Sequence, residues 1–503
     1  MNQFNKLKLN AASISFLPIL VCIPLSYQLI INLHSGGFDL FQEFILSAFH
    51  PKINYETSII VFNKLIETIY ISLSSWLISI IFGIIFGILS SNIFYEIINI
   101  PIFFKATIKF FLTIIRSIHE IVLGILLMQI YGLNFSIGII AICIPYIAVN
   151  AKVFSEQLDN IDQKRFKSIK QINGPGFSTL ITLIWHPIIN TFKNFGIYRI
   201  ECSIRSTVIL GIFGIGGIGT SIILSFQTLN FSELWTYLWA LIFLIIFSRE
   251  IIKKIRFKNN PKTLSIFLIG IVFSIILFCF YYTFSFILNN NFDKSYLINY
   301  FLKSDSHLLN FNFLKLILDT IILSLFSTGI AISFPPVLIL ILNNNFGLIL
   351  IRSLAFLLRL IPTPVLILSL LTFNSPSISL AAFTLGIHNA GITSKLLLTN
   401  LKSMDKRNYI AMKSLGFSRN ASWLLGLFPD QAKSYLAYCA YRSDIIIRET
   451  AIVGVIGGVG LGWQLQESLS SFAGKEVALI LVAYSSIAIV GELINGKIKN
   501  SLT

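Results

Sequence analysis

Two glycine-rich runs, each preceded by an arginine, are the residues of this sequence whose types and spacing could do chemistry. Both read Arg-x-Thr and then Gly-x-x-Gly-x-x-Gly-x-Gly, starting at Arg205 and at Arg448. A glycine-rich loop can cradle a phosphate when it joins a strand to a helix, but the first run lies in a stretch without charged residues, Ser206 to Ser232. Glycine in an apolar stretch lets helix backbones approach closely, or interrupts a helix beside a pore. The candidate gate glycines are Gly211, Gly214, Gly217, Gly219, Gly454, Gly457, Gly460 and Gly462.

No other arrangement of residues predicts catalysis or cofactor binding. The six histidines are scattered, and the five cysteines form no close pair. The Gly-x-x-x-x-Gly-Lys-Ser/Thr loop that binds nucleotide phosphates does not occur. We therefore predict no catalytic, cofactor-binding or metal-binding residues, and any energy from ATP must come through a partner chain.

The elements that position the glycine runs are predicted to be membrane-spanning helices. Of the 503 residues, 55% are hydrophobic and 12% are charged, whereas soluble domains carry roughly 25% charged residues. Uncharged runs such as Thr68 to Tyr95, Ile121 to Ala151 and Leu264 to Phe292 exceed the about 20 residues that a helix needs to cross a bilayer. Backbone groups in lipid must hydrogen-bond internally, so we predict an all-α, polytopic membrane fold.

The net charge of +16 is concentrated between the apolar runs. Basic clusters occur at Lys6, Lys164 to Lys170, Arg249 to Lys262, Lys395 to Lys413 and Lys497. The loops at the opposite ends of the apolar runs contain nearly equal numbers of acidic and basic residues. This positive-inside pattern predicts that both termini and the basic loops are cytoplasmic. The charge reflects membrane topology, and no nucleic-acid partner is predicted.

The chain is predicted to contain two copies of one unit. Arg116 and Arg359 lie in similar contexts 243 residues apart (359 − 116), and the same spacing joins the two arginine–glycine runs. Further upstream, Thr68 and Thr320 are 252 residues apart (320 − 68). The predicted domains are residues 1–255 and 256–503, each with about six transmembrane helices in the same orientation. Together they are expected to form one pore.

Each copy also contains a polar, basic segment that is predicted to be a cytoplasmic helix ending at a glycine. Gly174 and Gly416 are each followed thirteen residues later by a proline, Pro187 and Pro429 (187 − 174 and 429 − 416). The arrangement resembles the EAA loop of ATP-binding-cassette (ABC) importer permeases. In that family the short helix before the glycine docks on the ATPase subunit, and the glycine makes the turn.

The EAA-loop resemblance can be followed position by position. Ser168 and Ile410 stand where the family has glutamate, and Ala411 retains an alanine. The resemblance therefore implies an ATPase-coupling loop that includes Ser168, Gly174, Ile410, Ala411 and Gly416. The missing glutamate departs from the family pattern and removes one possible salt bridge to the ATPase.

The glycine runs resemble those of the phosphonate-transport permease family, where Arg-Ser-x-x-x-Leu-Gly-x-x-Gly-x-Gly-Gly-Ile-Gly is typical. The segment from Arg116 to Glu120 also resembles that family's Arg-x-Ile-Pro-Glu motif. In the second copy Pro362 is present, and Thr363 stands at the glutamate position. The resemblance implies a permease subunit for phosphonate or a related small phosphorus oxyanion.

The same resemblance implies partners and a location. They are a homodimeric cytoplasmic ATP-binding subunit, an external or periplasmic substrate-binding protein, and the lipid of a bacterial inner (plasma) membrane. Two alternatives stay open. ABC permeases for methionine or quaternary amines carry similar glycine runs, and a secondary transporter or channel would work without an ATPase.

Arg205 and Arg448 allow two interpretations. Guanidinium groups suit phosphoryl oxygens, so one hypothesis places both arginines along the path of an anionic substrate. The other is that they pair with acids inside the membrane, or extend toward its surface, as charged side chains in spans usually do.

Overall fold

The computed structural model describes residues 11–98, 101–174, 176–183, 189–257, 312–403 and 405–502. In this part of the chain the regular elements are helices, and one isolated β-bridge joins Leu33 to Asn374. Contacts divide the chain into two compact units, Ser47–Asn299 and Met1–Leu46 together with Tyr300–Thr503. We call them the first-repeat unit and the second-repeat unit.

The N-terminal segment belongs to the second-repeat unit. Its helices are α1 (Ile19–Ile31) and α2 (Phe38–Leu46). Within the candidate span Ala11–Ile31, the ring of Phe16 lies 5.5 Å from that of Phe428. The Asn374 side chain donates a hydrogen bond to the Leu29 carbonyl (2.8 Å). By contacts this span is grouped with the second repeat, whereas the sequence assigned it to the first domain.

The remaining helices follow in chain order. Those of the first-repeat unit are α3 (Tyr55–Leu89), α4 (Asn92–Ile98), α5 (Ile102–Ser117), α6 (Glu120–Tyr131), α7 (Phe135–Asp159), α8 (Gln163–Asn173), α9 (Phe177–Leu183), α10 (Ile189–Ile212), α11 (Ile218–Gln227) and α12 (Phe231–Phe257). Those of the second are α13 (Phe313–Ile341), α14 (Asn345–Leu360), α15 (Thr363–Leu371), α16 (Ile378–Ser403), α17 (Arg407–Ser414), α18 (Arg419–Ser422), α19 (Phe428–Gly457), α20 (Gly460–Ser470) and α21 (Gly474–Leu502).

Helix boundaries repeat at the spacings found in the sequence. The ends of α5 and α14, Ser117 and Leu360, are 243 residues apart (360 − 117), and so are the starts of α7 and α16, Phe135 and Ile378 (378 − 135). In contrast, α3 and α13 end 252 residues apart (341 − 89). The first repeat is therefore nine residues longer (252 − 243) between its first long helix and α5, and α4 lies in this insertion.

Small residues allow two long helices of each unit to cross closely. A Cβ added at Gly83 of α3 would lie 2.5 Å from the Cβ of Asn150 of α7, so only glycine permits this approach. The Asn150 amide donates a hydrogen bond to the Ser79 carbonyl (3.1 Å). At the equivalent crossing of α13 and α16, the Thr393 hydroxyl donates to the Ala331 carbonyl (2.8 Å). The two units thus share one packing arrangement.

Six described helices are long and apolar enough to cross a membrane, and up to nine spans result if three bent pairs are each counted as one. One bent pair is α5 with α6, at 81°, and its counterpart is α14 with α15, at 96°. The predicted all-α, multi-pass membrane fold is confirmed. The total of about twelve spans and the boundary at 255/256 stay predictions, because residues 258–311 lie outside the described residues.

Candidate functional site

Each glycine run forms a break between two helices, and a threonine from the unit's first long helix holds it. The Ile218 amide at the start of α11 donates to the Thr68 hydroxyl (2.8 Å), which donates in turn to the Lys64 carbonyl (2.7 Å). In the second-repeat unit the Leu461 amide donates to Thr320 (3.0 Å). The break is therefore built by the same backbone-to-threonine bond in both units.

Gly217 and Gly460 occupy equivalent points of these breaks and cannot be replaced without strain. Their φ angles are +77° and +64°, a region that side chains with a Cβ avoid. A Cβ at Gly217 would lie 2.8 Å from the Thr68 hydroxyl oxygen, and one at Gly460 would lie 2.7 Å from that of Thr320. The glycine requirement therefore has two independent causes.

The outer glycines of each run bring the two helices of the break together. A Cβ at Gly219 would lie 2.1 Å from the Val208 carbonyl oxygen, and one at Gly211 would lie 2.5 Å from that of Gly216. The corresponding contacts in the second run, at 2.7 and 2.8 Å, involve Gly454 and Gly462. The second glycines of the two runs differ in their surroundings. Gly214 is exposed, whereas a Cβ at Gly457 would lie 2.8 Å from the Ile367 side chain. This geometry supports helix packing and interruption, and a gating role stays a prediction.

Arg205 and Arg448 both pair with an acid one turn earlier on their own helix. Arg205 lies 2.5 Å from Glu201, and Glu201 also accepts a hydrogen bond from Arg249 Nε (2.8 Å). Arg448 pairs with Asp444. These side chains are largely buried, so the geometry supports the alternative of pairing inside the membrane. A place along the substrate path stays a prediction.

A second polar cluster in the first-repeat unit was missed by the sequence analysis. The guanidinium carbon of Arg199 lies 3.8 Å from the centre of the Tyr146 ring, a cation–π distance. The Tyr146 and Ser206 hydroxyl oxygens are 2.6 Å apart, and Ser206 donates to Glu120 Oε1 (2.6 Å). Because Ser206 has one hydrogen to give, Tyr146 is the donor in the first bond. A chain of contacts thus links a buried arginine to a carboxylate.

The second-repeat unit has a cluster at the equivalent positions. Arg442 Nε donates to the Asn389 side-chain oxygen (2.5 Å), and Arg442 Nη2 donates to Glu449 Oε1 (3.0 Å). The Asn389 amide donates to Glu449 Oε2 (2.9 Å). These three residues lie 243 positions after Arg199, Tyr146 and Ser206. The repeat register relates the two sets of positions but does not show that their side chains are in contact, and a search for identical residues finds only the arginine.

The predicted cytoplasmic helices are α8 and α17, and an aspartate lies at or just before the start of each. The carboxylates of Asp162 and Asp405 accept hydrogen bonds from the amides of Lys164 (3.1 Å) and Arg407 (3.0 Å). The first bond caps the start of α8, where Asp162 is the N-cap residue, whereas Asp405 lies one residue before Lys406, the N-cap residue of α17. The backbone and side-chain hydrogen bonds from Arg407 lower the pKa of Asp405 below its ordinary value.

The predicted coupling residues lie at the surface of these helices. Gly174 is the C-cap residue of α8 with φ of +70°, and Gly416 follows Leu415, the C-cap residue of α17, with φ of +85°. A Cβ at either glycine would meet open space. Ser168, Ile410 and Ala411 are exposed, and 60% of Ile410 is accessible. Pro187 lies outside the described residues, and Pro429 is in the first turn of α19. The structure thus leaves these positions open to a partner.

The comparisons with known proteins point to permeases. No family model matches the chain. It is 27% identical over 118 residues to HtxE of Stutzerimonas stutzeri, named for a phosphite transport system, and 20% identical over 181 residues to the phosphite transport system permease protein PtxC of the same organism. These matches cover 24% and 36% of the chain but 45% and 64% of the relatives, less than two thirds of their lengths. The phosphate-import permease protein PhnE of Mycolicibacterium smegmatis is 20% identical over 419 residues, which cover 79% of the chain and 78% of the relative.

Proposed function

We propose that this chain, a homologue of permease proteins from phosphite and phosphate import systems, is the membrane permease subunit of an ATP-driven importer. The match over 419 residues carries the proposal, because it covers 79% of the chain and so extends into both repeats. The helices α8 and α17 add support, since they lie at equivalent positions of the two repeats and offer an ATPase two comparable docking segments. The chain is a transport component, and ATP hydrolysis takes place on the partner.

The proposed substrate is phosphonate or a related small phosphorus oxyanion. The names of the relatives support this class of substrate. Arg205 and Arg448 are the residues proposed to favour an anion along the path. Their pairing with acids does not exclude this role, because an ion-paired guanidinium retains further N–H donors.

The proposed partners follow from the importer class. A homodimeric cytoplasmic ATP-binding subunit docks on α8 and α17, near Ser168 and Ile410, and an external or periplasmic protein delivers the substrate. The chain lies in the lipid of the inner membrane with both termini in the cytoplasm. The basic residues of α8, among them Lys164 and Lys167, are exposed and agree with a cytoplasmic location.

The decisive experiment reconstitutes the chain in vesicles with its candidate ATPase and binding protein. We expect ATP-dependent uptake of a phosphonate, phosphite or phosphate that requires all three components, with ATP turnover stimulated by loaded binding protein. Uptake of methionine or a quaternary amine instead would retain the importer class and reject the substrate. Uptake by the chain alone, driven by an ion gradient, would reject the importer.

A further inference from the structure

We propose that Glu120 and Glu449 are positioning residues with the same role. The carboxylate lies on α6 in the first repeat, and in the second repeat it lies on α19, the counterpart of α10. In each unit, one acid secures the helix that carries the glycine run to the helices before it. The proposal rests on the proposed importer function only for its transport readout. The residues occupy non-equivalent positions, so the sequence register alone does not pair them.

The exchange is visible in the repeat register. The position 243 residues after Glu120 is Thr363, and the position 243 residues after Ser206 is Glu449. The first unit therefore has the acid at the start of α6 and a hydroxyl on α10. The second has a hydroxyl at the start of α15 and the acid on α19. One acid and one hydroxyl are present in each case, with their helices interchanged.

Contact between the two positions makes the exchange possible. Ser206 donates to Glu120 over 2.6 Å, so a carboxylate moved from α6 to α10 would stay within the same cluster. Thr363, at the acid's position in the second unit, is 3% exposed. The Glu120 side chain is 13% exposed, so the position is largely enclosed in both units, and a carboxylate there must be hydrogen-bonded.

The reason that one acid is retained is the buried arginine. Arg199 is 9% exposed, and a guanidinium stays protonated in proteins. A buried charge is tolerated when charged or polar groups compensate it. Glu449 does so directly through Arg442 (3.0 Å). Glu120 does so through Ser206 and Tyr146, whose ring faces Arg199. Either placement provides one negative charge per cluster.

The cluster is placed to control the glycine break. Ser206 and Glu449 each lie five residues before the first glycine of their run, Gly211 and Gly454 (211 − 206 and 454 − 449). A change in the cluster therefore tilts or loosens the helix that leads into the break. We expect the consequence to be loss of coupling between ATP turnover and transport.

The test is to build the second unit's arrangement into the first. Glu120→Thr and Ser206→Glu are made singly and together in the full chain with its ATPase and binding protein. We expect each single variant to lose substrate-stimulated ATP turnover and uptake by about tenfold, and the double variant to recover most of both, since residues in one polar network are strongly coupled. If the double variant assembles poorly, adding Tyr146→Asn gives a triple variant with the second unit's residue types at all three positions.

Further readouts separate positioning from simple stability. Glu120→Gln keeps the acceptor for Ser206 but removes the charge, so it should retain assembly with the ATPase while substrate stimulation falls. If double and triple variants are no better than the singles in uptake and in thermal unfolding of the purified chain, the exchange is rejected. Absence of uptake by the unaltered system would reject the importer function instead. The thermal unfolding of the two single variants, the double and the triple would still test the exchange.

Discussion

The two helices predicted to be cytoplasmic, α8 and α17, lie at equivalent positions of the repeats but are held by different neighbours. Phe166 of α8 is 1% exposed and is enclosed by Ile93, Ile97 and Leu180, so its support comes from the inserted helix α4 and from α9. Lys170 also donates a hydrogen bond to the Glu96 carbonyl of α4 (3.1 Å). The first repeat thus supports α8 with part of a nine-residue insertion that the second repeat lacks.

The second repeat uses a local distortion of its own chain. Residues Trp423–Leu427 form a π-helical turn before α19. Gly426 in this turn comes so close that a Cβ there would lie 3.0 Å from the Asn408 carbonyl oxygen of α17. Tyr409, the counterpart of Phe166, is half-buried against the cluster around Trp423. The position of this helix is therefore retained by two different constructions, whereas the glycine break keeps the same backbone-to-threonine hydrogen bond in both units.

The largest expected effect concerns the feature that the repeats share. Gly217→Ala and Gly460→Ala should each destabilise the chain by about 3 kcal/mol or more, because overpacking is added to left-handed backbone strain of about 1–2 kcal/mol. Thermal unfolding and the yield of folded protein measure this. Gly132→Ala is the matched control, since Gly132 has φ +79° but open space around its Cβ position. A control as damaging as the other two variants would show that the threonine contact is unimportant.

The next effect is local to one helix, whereas the first concerns the whole unit, and it separates α8 from α17. Phe166→Ala removes a fully buried ring, a change that typically costs about 3–5 kcal/mol, and should loosen α8 and reduce ATPase co-purification. Tyr409→Ala removes a half-buried ring and should have a smaller effect on α17. Hydrogen exchange of the two helices provides the local measurement, with Ser168→Ala as an exposed control. Equal losses at Phe166 and Tyr409 would contradict the asymmetric support.

The smallest effect tests whether the paired arginines act symmetrically. Arg205→Gln and Arg448→Gln keep a donor for Glu201 and Asp444 but remove the charge. Each should lower ATP-dependent uptake of a phosphorus oxyanion, per folded chain, by about threefold, which corresponds to a loss of under 1 kcal/mol in the attraction between the guanidinium and the anion. The double variant should lower it further. Unchanged coupled uptake in the double variant would mean that these arginines serve the fold alone.

Much of the site was predictable from sequence because the relevant signals are local. The glycine spacing predicted the helix breaks, and the polar segments ending at Gly174 and Gly416 predicted α8 and α17. Tyr146, Asn389 and Glu449 were not predicted as a cluster with the arginines. Their residue types differ between the repeats, and their contacts join helices that are far apart in the chain.

The sequence by itself determined the membrane fold, the duplication and the place of each glycine break. Apolar run length and backbone hydrogen bonding leave few alternatives in lipid, and a repeated register needs no knowledge of contacts. Only the tertiary structure decided that the span Ala11–Ile31 packs with the second repeat, that α4 supports α8, and that Glu120 and Glu449 occupy comparable clusters. An apolar helix can pack equally well against several others, so its partner depends on shape and on a few polar contacts that a linear pattern does not record.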